Sequence, residues 1–477
     1  MVDLYLTNSL TGKKEKFVPI SSVRVGLYTC GPTVYGYPTI GNWRTYTLSD
    51  VVFRALTYFG YNPKFYMNLT DVGHLTGDNL GDADTGEDRI EKAAKKENKT
   101  AWDIAEFYIA DFKASFGKLG FIRPAKFTRA TEYITEQIEL VSRIESKGFA
   151  YKIADGLYFD VTSFEKAGNK YGELSNLREI KAGARVEPNP DKKDPRDFAL
   201  WKFSPKGAKR QMEWTSPWGL GFPGWHIECS AMSMKYLGDQ FDIHVGGVDL
   251  KSTHHPNEIA QSEAATGKHP FVKYWVHGAF LTVDGKRMGK SEGNAYTLHD
   301  IEKRKIDPLA LRYFYYTSHY RSQINFTWGA LQAAQQALAK LRELVTSFRE
   351  NLERTQLSPE KADKVDFYRE RFVKAIGDDL NMPQALAVMW EAVKSNIPGY
   401  DKYDLLVTFD EVLGLDLSKA SKLQMSKTPV AIQDLVNQRE ELRLIGQWQE
   451  ADEIRKKINN LGFAVEDTPD GQKIKKL

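Results

Sequence analysis

Residues 23–31 read VRVGLYTCG and close on a Gly-Pro turn; apolar positions then recur at Leu48, Val51, Val52, Ala55, Leu56 and Phe59, and a second run, KFYMNLT, fills 64–70. The two runs have the composition of buried strands, and the spacing between them is that of a helix. Strand, turn, helix and strand in that order make the parallel α/β unit, whose ligands lie beyond the carboxyl ends of its strands. Cys30 and Thr70 both occupy that end. The chemistry is expected there.

Further along, 240–247 (QFDIHVGG) resumes the α/β pattern and 254–265 (HHPNEIAQSEAA) reads as the helix after it, with Pro256 in its first turn. Between the two halves the pattern is irregular, with a strand candidate at 156–161 and a polar, Pro-containing run at 186–196. That stretch reads as an insertion. Residues 77–99, with three glycines and mixed charges, read as a mobile loop passing into a polar helix. Past residue 306 the periodicity is helical, at 328–348 and 382–393, with no strand expected. The last stretch gives one charged helix over 431–460, a strand candidate from Phe463 to Val465 and a Lys-rich tail.

The expected organisation is therefore an α/β catalytic domain split into 1–117 and 225–305, an insertion at 118–224, a helical bundle at 306–400, a linker at 401–429 and a small C-terminal module at 430–477. A chain of 477 residues exceeds what one core usually holds, so several domains are expected on length alone. A net charge of +3 means that any polyanion must be met by a local basic surface. No run approaches the ~18 to 20 apolar residues that span a bilayer, and Lys13, Lys14 and Lys16 interrupt the segment where a signal-peptide core would lie. No membrane association and a cytoplasmic location are the expectation.

Cys30 and Cys229 are the only cysteines. A long-range disulfide, a metal or catalytic role, and two plain buried thiols all fit, and composition by itself favours the last. His254 and Glu258, four apart, project from one face of a helix and can bind a common ion; His255, three before Glu258, competes with His254. Taken alone, such a pair is weak evidence and is more readily a solvated helix face than a metal site. Two thiolates, an imidazole and a carboxylate together suit zinc, which accepts S, N and O donors, in a substrate-binding or a purely structural site.

The stretches TCGPTVYGYPTIGNWR (29–44), SPWGLGFPGWHIECSAMS (216–233), DIHVGGVDLKSTHHPNEIAQSEA (242–264) and RMGKSEGN (287–294) closely resemble cysteinyl-tRNA synthetases, as do ALRYFYYTSHYRSQINF (310–326), DDLNMPQAL (378–386) and EDTPDG (466–471). The resemblance covers nearly the whole chain. It implies a class I synthetase fold: a Rossmann-like parallel-sheet catalytic domain with an insertion, an anticodon-binding helical bundle and a small C-terminal α/β module. It implies cysteine activation by ATP, taken with Mg2+, and transfer to tRNA(Cys) by a monomeric ligase. It also implies one zinc ion on Cys30, Cys229, His254 and Glu258, which takes the thiolate of the substrate, with Thr70, Trp225 and His244 lining the cysteine pocket.

A metal answers a selectivity problem, because an apolar pocket separates substrates differing by one small group by only about 10- to 200-fold. A soft-leaning cation prefers thiolate to hydroxyl, so serine forfeits the main interaction. Four protein ligands close a tetrahedron, however, and a substrate needs an open position. The Glu258 bond is therefore expected to lengthen when cysteine binds, or the ion to become five-coordinate.

Class I synthetases carry H-I-G-H and K-M-S-K-S; this chain has Thr39, Ile40, Gly41, Asn42 and Arg287, Met288, Gly289, Lys290, Ser291 in their places. By the resemblance Thr39, Gly41, Asn42, Arg287 and Lys290 serve the nucleotide at a helix N-terminus. Thr39 and Asn42 offer only neutral hydrogen bonds where a histidine could carry charge, and whether this slows activation is not decided by the sequence. Arg312 and Arg321 open the helical bundle and are expected to meet tRNA, with Trp448 as a stacking candidate or, alternatively, a core side chain. Two rivals stand beside this reading: a ligase joining cysteine to a small amine at the same site, and a non-catalytic RNA-binding protein derived from a synthetase. The residues beyond 306 weigh against the first, and retention of Lys290 with all four zinc ligands weighs against the second.

Overall fold

The computed structural model describes residues 2–73, 75, 87–175, 189–205, 207, 210–289, 292–350, 357–418, 430–444, 447–468 and 471–476. Residues 77–86 of the expected loop, 186–188 of the polar run, 419–429 of the expected linker, and Lys290 lie outside the described residues. The chain forms two units, Met1–Leu417 and Ser418–Leu477.

In the first unit Val25–Thr29 is buried at every position, as a strand covered on both faces requires. It is the middle of a five-stranded sheet in the order Val272–Gly278, Phe241–Gly247, Val25–Thr29, Pro63–Leu69, Lys126–Arg129, and every neighbouring pair is parallel. The chain builds outward from Val25–Thr29 on one side, then returns to build on the other. The strand order therefore reverses between Val25–Thr29 and Phe241–Gly247, and a crevice opens beyond their carboxyl ends. Gly31 sits at its floor, where a Cβ would lie 1.8 Å from the Asn68 backbone oxygen. Gly31→Ala is expected to lower stability by at least the ~1 to 3 kcal/mol typical of overpacking, since backbone cannot step aside as a side chain can; a urea titration reads it.

The helix after the first strand runs from Ile40 to Tyr58, starting well before its apolar repeat, because Thr39 and Asn42 close a capping box at its head. The expected insertion begins later than 118, since Lys126–Arg129 pairs with Pro63–Leu69 as the sheet's edge strand. It is then an antiparallel sheet ordered Ala150–Ile153, Gly156–Phe159, Phe198–Phe203, Gly219–Pro223, Trp214–Ser216.

The helical part contains Pro308–Tyr316, Trp328–Glu350, Pro359–Gly377, Met382–Lys394 and Gly399–Leu413. Two expectations are corrected. Ile324–Phe326 is a strand, paired with Leu281–Val283, which also pairs with Lys286–Arg287; its short alternation of buried and exposed residues was too brief to stand out among helices. Residues 401–413 are helix rather than linker, because Leu405, Leu406, Phe409 and Val412 supply an apolar stripe that joins the core.

Arg312 is a third correction: it is fully buried, not presented to RNA. It pairs with Asp50 and donates to Tyr316 Oη at 2.7 Å, the Leu413 carbonyl at 2.8 Å and the Leu119 carbonyl at 3.2 Å. In the second unit the single expected helix is two, Val430–Leu444 and Trp448–Asn460. Folding back buries Ile432 and Val436 against Ile454 and Ile458, which one long helix would leave in water. Phe463–Thr468 pairs with Gly471–Lys476 as a hairpin. Among the described residues no helix is long and apolar enough to cross a membrane.

Candidate metal centre and nucleotide site

Three elements converge on the crevice. Cys30 follows the central strand, Cys229 lies on the helix Trp225–Leu237, and His254 and Glu258 lie on the helix His254–Thr266. One ligand atom from each of the four falls within 4.8 Å of the others, and all four residues are buried. The sulfurs of Cys30 and Cys229 are 3.8 Å apart, His254 Nε2 is 3.0 Å from Glu258 Oε1, and Cys30 Sγ is 3.6 Å from the same oxygen. The i,i+4 spacing and the burial together make this a donor cluster rather than a solvated helix face. Two sulfurs, one nitrogen and one oxygen form a set that zinc accepts.

The four donors set one another's protonation. Burial would push Glu258 up, but His244 and His254 hold it down to about 2. Burial would push His254 down, yet Glu258 and Cys229 raise it to about 10. Burial raises Cys30 well above a free thiol; at Cys229 burial also pushes up, but the hydrogen bond from Cys30 and the contact with His254 together bring it down to about 7. Zinc ligation needs neutral His254 and two thiolates, so protons compete with the ion. Apparent zinc affinity is therefore expected to climb with pH through neutrality toward the His254 value, measured by competition with a chromophoric chelator.

A second, overlapping set is Cys30, His244, His255 and Glu258. His255 Nε2 lies 3.4 Å from Cys30 Sγ and its Nδ1 is 2.7 Å from His277 Nε2, with His277 Nδ1 2.8 Å from Ser9 Oγ. Burial holds His255 well below an ordinary imidazole and His277 at about 3, so this chain is neutral. It contains only one of the two sulfurs, and the first set suits zinc better. His226 Nδ1 lies 3.0 Å from His254 Nδ1, the position of a partner that orients a ligand. His226→Ala is expected to weaken zinc binding by about 10- to 100-fold, measured with the same chelator. Neither His226 nor His277 carries a spacing that marks it in the sequence; only the fold brings them in.

The expected pocket residues lie around this cluster. Trp225 is half-buried, its ring 4.3 Å from that of His254. His244 stacks on Trp275 at 4.7 Å and places Nε2 3.1 Å from Glu258 Oε2. Thr70 donates to buried Glu228 at 2.9 Å and accepts from Asn68 Nδ2 at 3.0 Å.

At the turn expected to serve the nucleotide, Thr39 Oγ1 donates to Asn42 Oδ1 at 2.8 Å and accepts from Asn42 N at 3.4 Å. The two side chains expected to serve the nucleotide thus satisfy each other, and the Asn42 amide NH2 is the donor without a hydrogen bond among the described residues. Gly41 faces the second motif: a Cβ there would lie 2.5 Å from Met288 Cε. Arg287 is exposed on its short strand, and Asn294 ties the loop by accepting from Gly289 N at 2.9 Å and donating to the Arg287 carbonyl at 3.1 Å. Of the RNA candidates, Arg321 is half-exposed and held by Asp379 at 2.7 Å, while Trp448 is exposed rather than core, with Arg443 5.5 Å over its ring.

Comparison with known proteins agrees with this geometry. Residues 16–336 match the family described as the tRNA synthetases class I (C) catalytic domain, and residues 425–474 match the cysteinyl-tRNA ligase anticodon binding domain. Cysteine–tRNA ligase 1 of Burkholderia lata is 44% identical over 462 residues, covering 96% of this chain and 94% of that protein. The cysteine–tRNA ligase of Treponema denticola is 39% identical over 501 residues and the full length of both. Among solved structures, Mycobacterium tuberculosis methionyl-tRNA synthetase in complex with methionyl-adenylate shares the fold at a TM-score of 0.57 and 15% identity, over 83% of this chain and 91% of that one. With a class I parallel sheet, a sulfur-rich donor cluster at its switch point and full-length likeness at these identities, the chain belongs to the cysteine–tRNA ligase family of class I synthetases.

Proposed function

We propose that Cys30, Cys229, His254 and Glu258 hold one zinc ion and that the chain uses this site to select L-cysteine, activate it with ATP and Mg2+, and load it onto tRNA(Cys). The observation that carries the reading is the convergence of four buried S, N and O donors at the crevice where the strand order reverses. When bound, zinc supplies a cation that favours thiolate over hydroxyl. Glu258 is the ligand best able to yield a position, because His244 already holds its other oxygen at 3.1 Å. Trp225 walls the pocket, and Thr70, fixed by Glu228 and Asn68, orients its floor.

In the first step a carboxylate oxygen of cysteine attacks the α-phosphorus of ATP and pyrophosphate leaves. In the second a terminal ribose hydroxyl of tRNA attacks the acyl carbon, AMP leaves and the hydroxyl proton is lost to solvent or phosphate. Gly41 admits the nucleotide to the helix N-terminus, where backbone N–H groups face developing phosphate charge. Asn42 adds neutral hydrogen bonds, Thr39 holds Asn42 in place, and Arg287 and Lys290 add positive charge from the second loop. Arg321 and Trp448 serve tRNA, Trp448 as an exposed ring beside Arg443. The enzyme acts as a monomer in the cytoplasm.

The test is cysteine-dependent ATP–pyrophosphate exchange on zinc-loaded protein, with serine as control, followed by charging of tRNA. Exchange with cysteine alone and a charged tRNA support the reading. Exchange without charging would favour a small amine as acceptor, and no exchange from folded, metal-loaded protein would favour a non-catalytic role.

A further inference from the structure

Arg44 lies on the helix Ile40–Tyr58, one turn along from the Thr39–Asn42 cap, and it is buried. Its guanidinium donates to four main-chain carbonyls: Ala279 and Phe280 at 2.8 Å each from one nitrogen, and His319 at 3.2 Å and Ser322 at 2.5 Å from the other. Among the described residues no carboxylate answers its charge, and burial draws its pKa down to about 10, so it is still a cation at neutral pH. Four loop carbonyls do not need a cation, since neutral donors would satisfy them with far less desolvation. What the guanidinium adds is a rigid planar fork that reaches two segments at once.

Those two segments begin two strands of one small sheet. Residues 279–280 lead into Leu281–Val283 and 319–322 lead into Ile324–Phe326, and the strands pair in parallel with Leu281 opposite Ile324. Arg44 therefore holds the sheet at the end where both strands start. The chain then turns back through Asp284 and Gly285, both at positive φ, as a two-residue hairpin requires. Lys286–Arg287 runs antiparallel, with Arg287 opposite Thr282, and so leaves the sheet at the end that Arg44 holds. There Met288 comes over Gly41.

The link is stiff on both sides. Asn325 Oδ1 accepts from Gly285 N at 2.7 Å and from Thr282 Oγ1 at 3.2 Å, which locks the hairpin turn to Ile324–Phe326. At the helix, Ile40 N donates to the Tyr296 carbonyl at 2.9 Å, and the Ile40 carbonyl accepts from Tyr315 Oη at 2.5 Å. A shift at the Arg44 end is thus carried to Arg287 rather than absorbed on the way.

Resting on the function proposed above, we infer that Arg44 is a positioning residue for cysteine activation, setting the strand that carries Arg287 against the helix N-terminus that serves the triphosphate. Its terminal N–H groups are occupied by carbonyls, so it acts through Arg287 and not on the nucleotide.

The experiment measures cysteine-dependent ATP–pyrophosphate exchange on full-length, zinc-loaded protein carrying Arg44→Gln or Arg44→Lys, each made alone and in an Arg287→Ala background. Arg44→Gln is expected to lower kcat on the order of 100-fold, the loss that attends a misplacement of about 1 Å, with zinc content and the KM for cysteine unchanged. Arg44→Lys is expected to lose about tenfold, because an ammonium keeps the charge but not the fork across both segments. In the Arg287→Ala background each substitution is expected to cost roughly a tenth as much or less, since residues that act through one another are not additive. Either variant carries the comparison by itself, so the test does not depend on both being folded. Unchanged kcat, full activity in Arg44→Lys, an equal loss in both backgrounds or a parallel loss of zinc overturns the positioning role and leaves the synthetase reading intact. Unaltered protein that holds zinc but gives no exchange overturns both.

Discussion

Cys229→Ser is expected to abolish zinc retention and, with it, cysteine-dependent exchange, while the protein stays folded. Cys229 is the readier of the two thiols to ionise, brought to about 7 because, against the upward push of burial, the hydrogen bond from Cys30 and the contact with His254 together prevail. A serine hydroxyl stays protonated at that pH and is a poor zinc ligand. The loss therefore exceeds the roughly 10- to 100-fold that attends removal of a partner behind a ligand. Folding is spared because the replacement has nearly the same size and Cys229 sits on a helix held by many other contacts, including Ile227 and Met232 in the core. Metal analysis after gel filtration, run beside the exchange assay, reads the outcome. Full zinc content in the variant would instead assign the metal to the overlapping set of Cys30, His244, His255 and Glu258.

The second large effect is structural. Arg312→Ala is expected to destabilise the first unit by about 3 to 5 kcal/mol, the cost of removing one partner of a buried ion pair. Asp50 would be left buried with Arg54 at 2.7 Å and the Ile122 N–H at 2.6 Å as its remaining partners. The carbonyls of Leu413 and Leu119 would lose a donor in the same change. Burial raises Asp50 and the two arginines more than reverse it, so its carboxyl titrates below the ordinary range. A depressed carboxyl contributes stability above its unfolded value, and that contribution is lost as pH falls through the folded one. In Arg312→Ala the loss is expected at higher pH than in the unaltered protein, seen by following denaturant midpoints down the acid limb. The KM for tRNA of the folded variant is expected to be unchanged, because the guanidinium does not reach the surface. A raised KM at unchanged stability would restore Arg312 to the RNA interface.

Arg312 illustrates what a sequence hides. An arginine near the start of a helical bundle reads as a phosphate contact or a solvated charge, and nothing local distinguishes either from a buried cation. Its counter-charge, Asp50, lies 262 positions away in sequence. The residues that join them, Leu119 and Leu413, are brought together only by packing. The same holds for His226 and His277, whose roles exist only beside His254 and His255. Thr39 and Asn42 were legible as a departure from a motif, yet their mutual capping hydrogen bonds appear only once the helix start is seen at Ile40. Residues 401–413 and the strand Ile324–Phe326 were misread because each shows its apolar face only against a neighbour.

By itself the sequence determined the parallel α/β core, from runs whose periodicity is a local property of consecutive residues. It also determined the donor types for a metal, since Cys, His and Glu carry their chemistry wherever they are placed, and the family, through long matching stretches. The tertiary structure alone decided which donors meet, which histidines stand behind them, where the insertion begins and which charges are buried. Those are distances between residues far apart in the chain, set by the joint packing of strands and helices, and no local pattern encodes them.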